Sequence, residues 1–166
     1  MTPFIHQFRV RYAELDPQSV VFNARYLEYA DVIVSEFFRE RRAAGADADM
    51  EYHVRRAEVD YLAPMRFEEL VTGQLEVTRI GNSSMVLTIT LFGQGAGFGQ
   101  GAGFGQGAGA GESADSGSHD PKDVRAIINL VQVHVDLASG KPLPIPDGVR
   151  AAFGFPAQSL DADPSA

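Results

Sequence analysis

No segment limits the possible folds of this chain more than a stripe of apolar side chains that runs from Tyr26 to Phe38. Successive members of the stripe are either three positions apart or adjacent, and they are Tyr26, Tyr29, Ala30, Ile33, Val34, Phe37 and Phe38. In a helix of 3.6 residues per turn this spacing places all of them on one face. The stripe therefore predicts a long amphipathic helix over about 24–42. Asn23 is a plausible N-cap, and Gly45 follows the expected end.

Stretches in which apolar and polar residues alternate stand on both sides of this helix and predict β-strands. The expected strands span 4–12, 54–62, 70–79, 84–92 and 124–137. We expect the last of them to be central in the sheet at first and exposed on one face later. A short helix is expected over 147–153. The last four expected strands follow one another without a helix between them. The pattern therefore favours an α+β fold, in which a curved antiparallel sheet is wrapped around one long helix, over a doubly wound parallel fold.

A length of 166 residues, with 45% hydrophobic and 22% charged residues, fits one globular domain. We place this domain at 1–155, with a glycine-rich insertion at 93–121, and three copies of FGQGAG span 92–109. Such a segment has too little apolar surface to offset the entropy of ordering it, so we expect it to be mobile. The acidic tail at 156–166 is expected to be disordered.

Charge and composition exclude several classes of function. A formal net charge of −8 disfavours nucleic-acid binding, which depends on cations that neutralise phosphates. The chain has no cysteine, so thiolate catalysis and cysteine-bound metals are excluded. The four histidines (His6, His53, His119 and His134) lack the spacing of metal ligands, and we expect no metal. Neither a secretory signal nor a long apolar span is visible, so we expect no membrane association and a cytoplasmic protein.

A candidate catalytic carboxylate, Asp16, lies in the loop at 13–22, shortly before the predicted helix. The free N–H groups and the dipole at a helix N-terminus favour negative charge. A nucleophile or base beside such an oxyanion site is the arrangement that acyl transfer requires. An aspartate that precedes a proline is also a common turn residue, and from these residues alone both interpretations remain open.

Four segments in the same order resemble the hot-dog-fold thioesterases, in particular the branch of 4-hydroxybenzoyl-CoA and short-chain acyl-CoA thioesterases. The segments are RYAELDPQSVVFNARYLEY at 11–29, YLAPMRFEEL at 61–70, VTRIGNSSMVL at 77–87 and GKPLPIPDGVRAAF at 140–153. The resemblance implies a hot-dog fold and an acyl-CoA thioesterase that releases a carboxylic acid and free CoA. It implies no cofactor, because coenzyme A is part of the substrate.

The resemblance also assigns roles to residues. Asp16 corresponds to the aspartate that attacks the thioester carbonyl or activates water, and the backbone N–H of Asn23 corresponds to the donor that polarises the carbonyl oxygen. The expected substrate-binding residues are Val21, Phe22, Tyr26, Tyr61, Pro64 and Met65. In these families the site lies at a dimer interface, so the resemblance implies a homodimer or homotetramer in which 61–65 of one chain meets Asp16 of another.

Some alternatives remain open. The family's loop usually has a glycine where this chain has Ser19, which leaves a non-catalytic domain that binds an acyl thioester or an apolar acid as the second hypothesis. Another branch of the fold uses a helical glutamate, for which Glu28 and Glu36 are the candidates.

Two further roles are less specific. Arg55, Arg56, Arg66 and Arg79 are candidates for binding coenzyme A phosphates, since guanidinium binds phosphate well. The repeated Phe and Gly of the insertion could also serve assembly.

Overall fold

A computed structural model of the chain describes residues 2–43, 50–93 and 123–157. The elements in order are β1 (Phe4–Arg9), a 3₁₀ turn (Tyr12–Glu14), α1 (Arg25–Ala43), β2 (Tyr52–Tyr61), β3 (Leu70–Ile80), β4 (Ser84–Gly93), β5 (Val124–His134) and α2 (Asp147–Ala152). The five strands form one sheet in the order β1-β3-β4-β5-β2, and every neighbouring pair is antiparallel. This is the predicted α+β architecture of a sheet and one long helix.

The helix α1 buries its predicted apolar stripe against the sheet. Six of the seven stripe residues are buried, and Phe38 is partly buried beside them. The contact with β3 is close, because a Cβ built on Gly73 would lie 2.4 Å from Cδ1 of Ile33. The glycine therefore lets the end of the Ile33 side chain rest directly against the backbone of β3.

The strand β4 shows the predicted alternation in full. Met85, Leu87, Ile89 and Leu91 are each 0% exposed and form the centre of the core. The turn predicted at Gly81 and Asn82 joins β3 to β4, and the amide of Gly81 donates to the carbonyl of Ser84 at 2.7 Å. Strands β3 and β4 thus form a hairpin whose inner face rests on α1.

Two strand ends lie three residues from their predicted positions, and each of these differences has a local cause. Strand β1 ends at Arg9, and Tyr12 is 79% exposed, because Glu14 accepts from the amide of Arg11 and turns the chain. Strand β5 ends at His134 instead of residue 137, since Asp136 opens a turn by accepting from the amide of Ser139. Helix α2 ends at Ala152, one residue early.

Strand β5 is central along its whole length, with β4 on one side and β2 on the other. Its alternation begins at once, with Ala126 and Ile128 buried and Ile127 only partly buried. The expected change from a strand buried on both faces to one exposed on one face is therefore wrong.

The predicted insertion at 93–121 joins two strands that pair with each other, since Phe92 of β4 faces Val124 of β5. Beyond Gly93 its residues lie outside the described part of the chain, and so does most of the predicted acidic tail, from residue 158 onward. Among the residues that the structure describes, no helix is long and apolar enough to cross a membrane.

Candidate functional site

The loop that carries Asp16 is a small, closed hairpin. Leu15 and Val21 form an antiparallel bridge, and the amide of Phe22 donates to the carbonyl of Glu14 at 2.9 Å. At the tip, the amide of Asp16 donates to the carbonyl of Val20, and the amide of Ser19 donates to the carbonyl of Asp16. This is the geometry of a three-residue hairpin loop built on a type I turn.

The side chain of Asp16 takes part in the same turn. Its Oδ1 accepts from the amide of Gln18 at 2.8 Å and from the amide of Val20 at 3.3 Å. The residue is half-buried. Asp16 is therefore held in a fixed orientation by its own loop, because Oδ1 accepts hydrogen bonds that stabilise the turn. No hydrogen bond to Oδ2 is present among the described residues.

Ser19 adopts the left-handed backbone conformation that glycine favours, with a φ of 62°. In a three-residue hairpin loop this conformation is the one that follows the type I turn. The substitution of serine for the family's glycine therefore leaves the loop in the conformation that glycine would take, and it gives no structural reason for a loss of activity.

Helix α1 begins with free amides close to this hairpin. Its first residue is Arg25, so Ala24 precedes it directly, and the side chain of Asn23 makes no hydrogen bond with a described residue. The prediction of Asn23 as side-chain N-cap is therefore wrong. The amides of Asn23 and Ala24 have no acceptor within the described ranges, whereas the amide of Arg25 donates to the carbonyl of Phe22. The backbone N–H of Asn23 is thus open to an incoming oxygen atom.

The structure brings the remaining predicted site residues together at this end of α1. The hydroxyl of Tyr61 donates to the carbonyl of Asn23 at 3.1 Å, and its ring contacts that of Tyr26 at 4.9 Å between centroids. The amide of Val21 donates to the carbonyl of Met65 at 2.9 Å. Tyr61 and Met65, which we expected to reach the site from a partner chain, thus lie against the helix start and the hairpin of their own chain.

These residues differ in their accessibility to a ligand. Tyr61 is 52% exposed, Phe22 is 51% exposed and Pro64 is also exposed. Val21, Tyr26 and Met65 are buried beneath them and belong to the core. Burial raises the pKa of Tyr26, against a smaller opposing effect of a hydrogen bond with the backbone of Met65, so its hydroxyl stays neutral.

A buried ion pair that the sequence did not reveal stabilises the loop between β2 and β3, next to the candidate site. Arg125 Nε donates to Glu69 Oε1 at 2.7 Å, and the side chain of Glu69 is only 4% exposed. The other oxygen of Glu69 accepts from the amide of Arg66, and the carbonyl of Arg125 accepts from the amides of Leu62 and Ala63. The pair therefore holds the loop between β2 and β3. The 56 residues that separate its partners explain why no sequence pattern predicted it.

The other candidates have ordinary surface roles in the described residues. Glu28 pairs with Arg25 and Glu36 pairs with Arg39, each three residues away on the helix.

The four arginines considered for phosphate binding are all exposed. Arg66 belongs to the loop next to Met65, and Arg56 pairs with Glu58. No cluster of three or more potential metal ligands occurs within residues 2–43, 50–93 and 123–157, and His119 lies outside those ranges.

A cavity of about 390 Å³ lies at the opposite end of α1. Phe38, Tyr52, Gln132 and Phe153 are among the residues that line it, and none of the predicted site residues does. Within one copy of the chain, the candidate catalytic residues therefore lie at an open surface, next to the exposed Phe22 and Tyr61.

Solved structures with the same fold include several that are named thioesterases or predicted thioesterases. A gentisyl-coenzyme A thioesterase has a TM-score of 0.64 and 20% identity, with 90% of this chain and 99% of that chain covered. A 1,4-dihydroxy-2-naphthoyl-CoA thioesterase from Synechocystis has a TM-score of 0.63 and 14% identity, with 96% and 98% covered. The PA5185 protein from Pseudomonas aeruginosa has a TM-score of 0.67 and 24% identity, with 92% and 90% covered. These likenesses define the hot-dog fold.

The family model of the thioesterase superfamily matches residues 18–97. The match covers just under half of the chain and contains the hairpin from Gln18 onward, all of α1 and strands β2 to β4. A search of curated proteins gives no match. This match, together with the shared fold, confirms the resemblance to the hot-dog thioesterases that the sequence predicted.

Proposed function

We propose that this protein is an acyl-CoA thioesterase in which Asp16 and the backbone N–H of Asn23 perform the reaction. The observation that carries the proposal is the hairpin at 14–22, which holds the Asp16 carboxylate in a fixed orientation on the segment that leads directly into α1. Free amides begin where that segment ends, at Asn23 and Ala24. A carboxylate and a preorganised N–H donor on one short segment suit a reaction that develops negative charge on a carbonyl oxygen.

The chemistry requires one water molecule and no cofactor beyond the substrate. As a general base, Asp16 accepts a proton from water while the water oxygen bonds to the thioester carbon. The carbonyl oxygen becomes an oxyanion that accepts from the N–H of Asn23. Collapse of this intermediate breaks the C–S bond, and the thiolate of coenzyme A leaves and is protonated. As a nucleophile, Asp16 would form an acyl anhydride that water then hydrolyses.

Aroyl and short acyl groups are the first substrates to test. The exposed rings of Phe22 and Tyr61 offer aromatic surface beside the free amide of Asn23. Two of the structural neighbours are named for aroyl-CoA substrates, which supports the inclusion of aromatic thioesters. Arg66, exposed on the loop next to Met65, is the predicted arginine best placed to meet the phosphates of coenzyme A.

A homodimer or homotetramer is part of the proposal. Strand β2 is an edge strand of ten residues, and eight of them are exposed. A long, exposed edge presents unpaired backbone groups that a second copy can cover. We place the reaction in the cytoplasm, as the sequence suggested.

The test is release of free thiol from a panel of aroyl- and acyl-CoA esters, followed with a thiol-reactive dye. We expect Asp16→Asn to lose at least about a hundred-fold in kcat, because it removes the proton acceptor or nucleophile. Asparagine keeps an Oδ1 that can accept from Gln18 and Val20, so the hairpin and the thermal unfolding temperature should change little.

Asp16→Ala is the matched comparison, since it removes both the reacting carboxylate and the acceptor of the turn hydrogen bonds. Equal rates for Asp16→Asn and wild type would show that Asp16 has been assigned wrongly. Thermal stabilisation of the wild type by acyl-CoA without release of thiol would instead favour a non-catalytic binding domain.

A further inference from the structure

The hairpin that carries Asp16 is joined to the second turn of helix α1 by the side chains of Glu14 and Tyr29. The hydroxyl of Tyr29 donates to Oε2 of Glu14 at 2.7 Å. The same oxygen accepts from the amide of Arg11 at 2.7 Å. Tyr29 is 7% exposed, and its ring packs on that of Phe8 with 4.4 Å between centroids. The hydroxyl is therefore held at a fixed point of the core.

Glu14 stands at the base of the hairpin, where its position controls both strands of the loop. It precedes Asp16 by two residues, and its carbonyl accepts from the amide of Phe22, which directly precedes Asn23. A shift of Glu14 would therefore move the carboxylate of Asp16 and the start of α1 relative to each other.

The hydrogen bond between these two side chains joins a hydroxyl donor to a carboxylate acceptor. Hydrogen bonds from a hydroxyl to an ionised carboxylate are stronger than bonds between neutral groups. Burial, together with the hydrogen bond to Glu14, raises the pKa of Tyr29 far above its ordinary value, so the hydroxyl remains a donor.

We propose that Glu14 and Tyr29 are positioning residues that set the distance between the carboxylate of Asp16 and the backbone N–H of Asn23. Neither residue contacts the reacting atoms. The inference rests on the proposed function, in which those two groups act on one carbonyl. Because a misplacement of about 1 Å can cost about a hundred-fold in rate, a side-chain tie at the base of the hairpin is sufficient to affect turnover.

The first arm of the test does not depend on activity. Tyr29→Phe removes one oxygen atom and keeps the ring that packs on Phe8. We expect the hairpin amides of Val21 and Phe22 to exchange hydrogen about ten-fold faster, the effect of losing a bond to a charged group. Exchange at the centre of β4 should be unchanged. Tyr12→Phe is the matched control, since Tyr12 is 79% exposed and its hydroxyl has no hydrogen-bond partner in the described chain.

The second arm is kinetic and uses the CoA ester that the wild type hydrolyses fastest. We expect Tyr29→Phe to lower kcat by about ten- to a hundred-fold with KM changed by less than about three-fold, because only the reacting groups are displaced. Glu14→Gln keeps an acceptor for Tyr29 and Arg11 and should retain more activity than Glu14→Ala. A purely structural role would lower the unfolding temperature of these variants without this split between kcat and KM.

The outcomes separate the two proposals. If the wild type hydrolyses no CoA ester, the proposed function fails, and unchanged exchange at Val21 and Phe22 in Tyr29→Phe would overturn the positioning role independently. If the wild type is active, a wild-type kcat for Tyr29→Phe overturns the positioning role and leaves the thioesterase intact. Faster hairpin exchange together with a lower kcat supports both.

Discussion

Ser19 shows how one residue can preserve a loop although its side chain is unusual for the position. Its φ of 62° lies in the left-handed region, which costs a residue with a Cβ about 1 kcal/mol relative to its preferred conformations. The hairpin compensates for this cost with the bridge between Leu15 and Val21 and the hydrogen bonds to Asp16 Oδ1. The orientation of Asp16 and the strain at Ser19 are thus parts of one local structure.

Substitutions at Ser19 should follow the backbone cost. Ser19→Gly relieves the strain but gains entropy in the unfolded chain, so we expect a free energy of unfolding higher by about 0 to 1 kcal/mol. Ser19→Val places a β-branched residue at positive φ and should lower the free energy of unfolding by about 1–2 kcal/mol. Urea unfolding measures both.

Gln18→Val is the control, because Gln18 is exposed and is not among the residues with positive φ. If Gln18→Val and Ser19→Val lower the free energy of unfolding equally, the explanation from the backbone conformation of Ser19 is contradicted.

At the scale of elements, the start of β3, the end of β4 and the start of β5 meet at the buried pair of Glu69 and Arg125. A Cβ on Gly93 would lie 1.9 Å from Oε1 of Glu69 and 2.4 Å from Nε of Arg125. The ion pair thus fills the space beside the last residue of β4. Through the amides of Leu62 and Ala63 it also fixes the loop that supports the candidate site.

Gly93→Ala should therefore be strongly destabilising. Because the methyl group forces a buried ion pair apart, we expect the free energy of unfolding to fall by about 3 kcal/mol. Gly148→Ala is the matched control, since nothing lies within 4 Å of a Cβ at that helical position. This control should raise the free energy of unfolding by about 0.5–1 kcal/mol, the difference between the two residues in a helix.

Chemical unfolding monitored by circular dichroism compares the two variants. Similar stability of Gly93→Ala and Gly148→Ala would contradict the packing described at the ion pair.

The sequence predicted the elements well and the tertiary polar contacts poorly, for physical reasons. The stripe of α1 and the alternation of Met85, Leu87, Ile89 and Leu91 are local patterns set by burial. The ion pair of Glu69 with Arg125 and the bond of Tyr29 to Glu14 join residues 56 and 15 positions apart, and only the fold brings them together. Element ends were missed where a side chain such as Glu14 or Asp136 caps a turn.

At the scale of the whole molecule, strands β4 and β5 pair along nearly their whole length. The register runs from Ser84↔Val133 to Phe92↔Val124. Residues 94–122 connect two adjacent strand ends. The entropy of closing a flexible connection rises only slowly with its length, so a shorter connection should be compatible with the same sheet.

Replacement of residues 94–122 by a four-residue turn should therefore leave the fold intact. We expect the free energy of unfolding to rise by ~1–2 kcal/mol from the lower cost of loop closure. Urea unfolding tests the stability, and light scattering tests whether the FGQGAG repeats affect assembly. A variant that fails to fold, or that changes its assembly size, would show that the repeats have a structural role.

The adjacency of Phe92 and Val124 also makes this protein a practical scaffold for grafting. In an antiparallel pair the facing Cα atoms are about 5 Å apart, so the chain leaves and re-enters the sheet at nearly the same point. A reporter domain whose own termini are neighbours, such as a circularly permuted fluorescent protein, would fit at this junction without stretching either strand. Its emission could then signal changes at the loop that Arg125 holds.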